Sequence, residues 1–316
     1  MHHDIWDYDL PAQPILTDIP RNGRTVPAVI QLTKMGLVFA FERETGLPIY
    51  GIEERAVPKS DVPGEETSPT QPFPIAPAPL ARTTPVTRDD LTRVTPESRA
   101  ECERLFDSVT SGGLYTPPGL TPTLLFPGTM GGATWSGGAV DAGASMLVVN
   151  TNDVGAIAHM VPAPAGSPVP YVRGGALGAY GRFWDSRKLP CQAPPWGRLN
   201  GIDLRTGTIA WQVPLGNVPS LEAQGITGTG TPNLGGAIVT GGGLAFIGGA
   251  IDSRLRAFDV ATGREVWRAD LPASAHGTPV TYRGASGRQF LVVAAGGGGR
   301  FSVGAISDAV IAFALR

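Results

Sequence analysis

This sequence lacks a charge surplus, a long apolar run and a cysteine framework. Lys and Arg number 25 against 27 Asp and Glu, a formal net charge of −2. No basic excess points to nucleic acid, and no acidic block points to a solvating tail. No apolar run reaches the ~20 residues that a membrane-spanning helix needs. The opening residues carry charge and aromatic rings where a secretory leader would be apolar. Cys102 and Cys191 are too few and too far apart for a zinc pattern. They form either one bridge in an oxidising compartment or two buried thiols.

Glycine and proline are what the chain has in plenty, 43 and 30 residues. They separate short apolar runs such as GGGLAFIGG and RQFLVVAAGGGG. Many short strands joined by tight turns predict an all-β fold. A hydrophobic content of 42% supplies a sizeable core.

An internal repeat specifies the architecture. NGIDLRTGTIAW and RAFDVATGREVW share an acid, two residues, Thr-Gly, three residues and Trp. The two copies, Asp203–Trp211 and Asp259–Trp267, are offset by 56 residues. A third copy, VFAFERETGLPIY, keeps the spacing as Glu42, Thr45, Gly46 and Tyr50. Each unit reads as a strand ending at the acid, a Thr-Gly hairpin turn, and a strand carrying the aromatic inward. A period in the fifties predicts propeller blades: four-stranded sheets that must stack on neighbours to bury both faces. Trp211 and Trp267 are therefore expected in equivalent buried positions between blades.

Two insertions overwrite the period. Residues 59–110 open Pro-rich, with extended character. They then carry a short helix over 96–106, with Thr95 as N-cap and Pro96 at the first helical position. Residues 161–198 read as an irregular loop insertion. Long insertions in a blade array come from one face, often the binding face.

The opening MHHDIWDYDLPAQP crowds His2, His3, Asp4, Asp7 and Asp9 ahead of the strand leading to QLTKMG. On its own it reads as a polar terminus. A zinc site needs more ligands at closer spacing than His159 and His276 offer. Taken with YTPPG, TLLFPGTMGGATWSGGAVD, LPCQAPPWGRLNGIDLRTG and TPVTY, however, it resembles the quinoprotein dehydrogenases that use pyrroloquinoline quinone (PQQ), in their membrane-type glucose and quinate branch. The resemblance covers essentially the whole chain, in order. The repeat also matches that family's tryptophan docking motif.

The resemblance implies an eight-bladed propeller, of which this chain is a partial arc of about four to five blades with long loops and one short helix. It implies Asp7 as the catalytic base that takes the hydroxyl proton while a hydride leaves the carbinol carbon. It implies Lys34 as the cation that hydrogen-bonds the quinone oxygens, and it implies Trp135, with Thr134 beside it, at the rim of the cofactor pocket. For Asp7 alone the alternative is a turn carboxylate, for Lys34 a solvated strand-end lysine, and for Trp135 core packing.

Further implications are calcium or magnesium held mostly by residues outside this chain, a sugar, polyol or cyclitol substrate, ubiquinone or another electron acceptor, and a periplasmic location. The family's calcium-ligating glutamate and asparagine belong to blades that would precede Met1. That makes a truncated or split reading frame, or a start codon inside a longer gene, the expectation. The missing half of the same propeller would then be a partner. The glucose branch often reads GGHG near its end. AAGGGGRF here puts Gly298 at the histidine, with Arg300 close by, which favours another polyol or a cyclic alcohol. The competing readings are a non-catalytic propeller scaffold and an inactive fragment.

Overall fold

The computed structural model describes residues 1–299 and 304–314. Arg300 lies outside the described residues. Strands dominate, as the turn-rich composition predicts. Four antiparallel sheets repeat along the chain. The first holds strands Ile15–Arg21, Arg24–Leu32 and Val38–Glu42. The second holds Gly138–Asp141, Met146–Asn152, Gly197–Asp203 and Thr208–Pro214. The third holds Ile238–Thr240, Leu244–Ile247, Arg254–Asp259 and Glu265–Asp270. The fourth holds Val280–Arg283, Gln289–Gly297 and Ile306–Ala314. These are the blades that the repeat predicts.

Blades bury apolar faces against one another. Ile30 and Leu32 of the first meet Leu147, Val149 and Ile202 of the second. Val148, Leu199 and Trp211 of the second meet Ala245, Ile247 and Phe258 of the third. The repeat turns also join blades directly. In each, the acid accepts from the turn: the Asp259 carboxylate takes the Thr262 N–H at 2.9 Å and the Thr262 hydroxyl at 2.8 Å. Gly207 and Gly263 adopt φ of 74° and 70°, which only glycine takes without strain. The aromatic of one blade then covers the glycine of the next. A Cβ on Gly207 would lie 2.9 Å from Tyr50, and one on Gly263 would lie 2.5 Å from Trp211.

The expectation for Trp267 needs correction. Trp211 is buried at 9% exposure, but Trp267 stands 39% exposed. The fourth blade has three strands among the described residues, and no Thr-Gly turn there reaches the Trp267 ring. It meets Phe246 and Phe313 edge-on instead, with ring centroids 6.5 and 5.2 Å away.

The two insertions share one apolar cluster, in which Leu91 and Cys102 meet Phe183 and Cys191. Helix Pro96–Phe106 starts as expected: the Thr95 hydroxyl accepts from the Ser98 N–H at 3.2 Å, and Pro96 occupies the first turn. A one-turn helix, Pro219–Glu222, is additional. A further four-stranded sheet combines Thr110–Ser111, Thr123–Leu125, Ala156–Ala158 and Gly181–Arg182, with its first pair parallel. Cys102, on the helix, and Cys191 form a disulfide that closes a sequence separation of 89 residues.

Candidate active site

The opening segment is anchored, not frayed. Trp6 and Tyr8 are fully buried with Met35, Leu37, Phe73 and Tyr115. The Trp6 indole N–H donates to the Thr116 carbonyl at 2.9 Å, and the Tyr8 hydroxyl donates to the Pro127 carbonyl at 2.6 Å. Burial pushes the Tyr8 and Tyr115 phenols up, so both remain neutral. The Asp4 carboxylate accepts the N–H groups of Trp6 and Tyr8, both at 2.9 Å. That ring of bonds bends the chain at Asp7, where φ is 73°, an uncommon conformation for a residue with a side chain. With Trp6 and Tyr8 turned into the core, Asp7 and Asp9 turn the other way.

Lys34 arrives from the turn after strand Arg24–Leu32. The Thr33 hydroxyl shapes that turn, donating to the Leu37 carbonyl at 2.7 Å and accepting the Leu37 N–H at 3.1 Å. Residues 131–133 lie across it, with the Gly132 N–H on the Lys34 carbonyl at 2.6 Å. Gly131 lets the lysine stem pass: a Cβ there would sit 2.5 Å from Lys34 Cγ, and its φ is 83°. The Lys34 side chain is only 5% exposed. Its ammonium donates to the Asp7 carbonyl at 3.1 Å and the Asp7 carboxylate at 3.4 Å, and it pairs tightly with Asp9. Two carboxylates on one buried ammonium leave a net negative site with a fixed cation at its floor.

The structure thus brings Asp7 and Lys34 together across 27 residues of sequence. Lys34 is not a solvated strand-end residue. Thr134 is buried and belongs to the loop that crosses the lysine turn. Trp135 is 57% exposed, which excludes core packing. Asp9 was not singled out by sequence reasoning. The available signal was only its place in the acid-rich opening stretch, because the bend at Asp7 breaks the alternation of a regular strand. Among the described residues no group of three or more His, Cys, Asp or Glu side chains could hold a metal ion. Gly298 has φ of 71°, and a Cβ there would meet nothing within 4 Å.

Fold and site together define an arc of β-propeller blades with a lysine–dicarboxylate site at the end of its first blade. The family described as "PQQ: Glucose/ethanol/alcohol dehydrogenase, beta-propeller domain" matches residues 1–291, and the chain belongs to that family. A probable quinate dehydrogenase (quinone) of Xanthomonas campestris pv. juglandis is 38% identical over 94% of this chain and 40% of its own length. A quinate/shikimate dehydrogenase (quinone) of Acinetobacter baylyi is 35% identical over 100% of this chain and 42% of its own. The chain therefore spans about two fifths of the length of these relatives. Among solved structures, a europium-containing methanol dehydrogenase superposes with a TM-score of 0.58 at 20% identity, covering 95% of this chain and 42% of its own. That likeness establishes the propeller fold and nothing more.

Proposed function

We propose that this chain carries one wall of the active site of a PQQ-dependent dehydrogenase that oxidises a sugar, polyol or cyclic alcohol. The supporting observation is the buried Lys34 ammonium within 3.4 Å of the Asp7 carboxylate, with an exposed Trp135 ring on the loop whose preceding residues cross the lysine turn. This donor set suits the carbonyl edge of a flat quinone: a desolvated ammonium for its oxygens and an aromatic face for its ring plane. Bound PQQ supplies the hydride acceptor. The remaining steps belong to this chain. Asp7 accepts the substrate hydroxyl proton as the carbinol hydrogen departs as hydride, so the alcohol loses two electrons and two hydrogens. Lys34, held by Asp7 and Asp9, presents a positive charge where negative charge develops. Thr134 supports the loop that carries Trp135. Calcium or magnesium would complete the site with ligands outside these residues.

A cyclic polyol such as quinate is the favoured substrate class. Two relatives carry that name, and Gly298 leaves open space where the glucose branch places a histidine. Electrons then pass to a quinone pool. A periplasmic location accords with the Cys102–Cys191 disulfide, which persists in oxidising compartments. No helix among the described residues is long and apolar enough to cross a membrane.

The test is PQQ-dependent dye reduction by these residues joined to the remaining blades of the propeller. A panel of aldoses, polyols and quinate serves as substrate. Asp7→Asn should abolish turnover while PQQ still quenches tryptophan emission. Full activity in that variant would overturn the base assignment. The isolated 316 residues should not turn over, because a cofactor clamped on one side is not held to the roughly half an ångström that productive geometry requires.

A further inference from the structure

The first insertion and the second blade border a cleft of about 330 Å³. Residues 79–82 and Thr84 form one side of it. Asp153, Arg198 at the start of strand Gly197–Asp203, and Gln212 of the outer strand Thr208–Pro214 form the other. None of Asp7, Asp9, Lys34 and Trp135 borders it. The surface presented to the cleft is almost wholly polar, which selects against an apolar ligand.

Two guanidiniums and one carboxylate line this space. Both oxygens of the carboxylate are taken: Asp153 Oδ1 accepts the Arg82 backbone N–H at 3.0 Å, and Oδ2 accepts from Arg198 Nη1 at 3.0 Å. The two arginine side chains are partly exposed, and Asp153 is set more deeply. Asp90, which is outside the lining, braces Arg82 through Nη2 at 2.8 Å. Arg82 Nη1 finds only the Thr84 hydroxyl and the Pro85 carbonyl, both at 3.5 Å, beyond the length of a good hydrogen bond. The Arg198 guanidinium makes its single bond to Asp153, so its Nε and Nη2 groups have no protein acceptor among the described residues. The ion pairs therefore fix both guanidiniums in place without using up their forks of donors.

We propose that Arg82 and Arg198 form a phosphate-binding site, with Thr84 and Gln212 at its edge. Two guanidiniums arriving from different elements need more acceptor oxygens than the two of a carboxylate, which lie in one plane. A phosphate group presents three or four in a tetrahedron and can meet both forks at once. The ligand is a free phosphate ion or the phosphate group of a small monoester. Bound there, it ties the first insertion to the second blade and leaves the cofactor wall at Lys34 untouched.

Isothermal titration calorimetry of the full 316-residue chain reads binding, with inorganic phosphate, glycerol 3-phosphate and acetate as probes at constant ionic strength. Saturable phosphate binding is expected, with acetate roughly tenfold weaker or more. Tighter binding of glycerol 3-phosphate than of phosphate would identify a monoester as the ligand, and the reverse order the free ion. Arg198→Gln should weaken binding roughly tenfold or more. Thr84→Glu sets a carboxylate beside Arg82 at an exposed position, where no core contact is lost, and should do the same; Thr84→Gln should change little. Lys34→Met should bind phosphate as the parent does. Absence of saturable binding, or acetate as tight as phosphate, overturns the proposal. Binding that survives either Arg198→Gln or Thr84→Glu would show an adventitious ion only. Loss of binding in Lys34→Met would move the anion to the lysine site and overturn the assignment equally.

Discussion

Trp211 lies over Gly263 of the next blade and hydrogen-bonds the Val260 carbonyl at 2.9 Å. One side chain thus fills the inter-blade space and satisfies a buried backbone acceptor. Trp211→Phe keeps much of the ring but orphans the carbonyl, which should cost about 1–3 kcal/mol. Trp211→Ala adds a cavity and should cost about 3–5 kcal/mol. Trp267→Ala, at a half-exposed ring, should cost clearly less than Trp211→Ala. Urea unfolding of the three variants measures the order, and equal losses at Trp211 and Trp267 would contradict it.

The Cys102–Cys191 bridge ties the insertion helix to the segment that leads into the second blade. Closing a loop of that length restricts the unfolded chain by about 4–5 kcal/mol on the entropic account. The double variant Cys102→Ser, Cys191→Ser should show that order of loss in urea. Adding reductant to the parent should reproduce it. A parent indifferent to reductant would mean that the bridge does not form.

Arg254 bonds both oxygens of Glu222, at 2.9 and 3.0 Å, and joins the one-turn helix to the third blade. That bond holds the Glu222 carboxyl below its ordinary value of 4.5. The unfolded state binds the proton more tightly, so the pair stabilises the fold above about pH 4.5. The contribution fades as the pH falls through the folded value. Glu222→Gln should therefore cost about 1 kcal/mol at pH 7, and the gap to the parent should close near pH 3. Urea midpoints at the two pH values measure it. A constant gap would place the effect in packing.

Local chemistry made much of this legible. The acid-x-x-Thr-Gly spacing marks turns because the acid accepts from residues two or three positions on, the threonine at Glu42 and Asp259 and Arg205 at Asp203, and that needs no distant partner. The Thr95-Pro96 start of the helix is equally local. The Asp7–Lys34 meeting could be expected only through the family resemblance, since no periodicity links residues so far apart. Asp9 was one of the crowded acids, but its pairing with Lys34 was not legible because it depends on Trp6 and Tyr8 taking the core side of a bent segment. The exposure of Trp267 was hidden because sequence equivalence assumes an equivalent neighbour, and the fourth blade does not present one. The parallel pair Thr110–Ser111 with Thr123–Leu125 is too short to carry any pattern.

Lys34 offers the sharpest separation of function from stability. Its ammonium is buried, while Asp7 and Asp9 are 35% and 56% exposed. Replacing a buried, paired charge by an apolar group of similar shape is often neutral or stabilising. The two carboxylates can turn to water once the cation is gone. Lys34→Met should therefore unfold at the same urea concentration as the parent or a higher one. Lys34→Ala removes the stem that packs on Gly131 and should lose roughly 2 kcal/mol. In the joined propeller, Lys34→Met should weaken PQQ quenching of tryptophan emission at least tenfold and suppress dye reduction with it, as expected of a residue kept for its site. If Lys34→Met unfolds readily and its residual folded fraction binds PQQ normally, the lysine belongs to the core and the cofactor contact must be sought elsewhere.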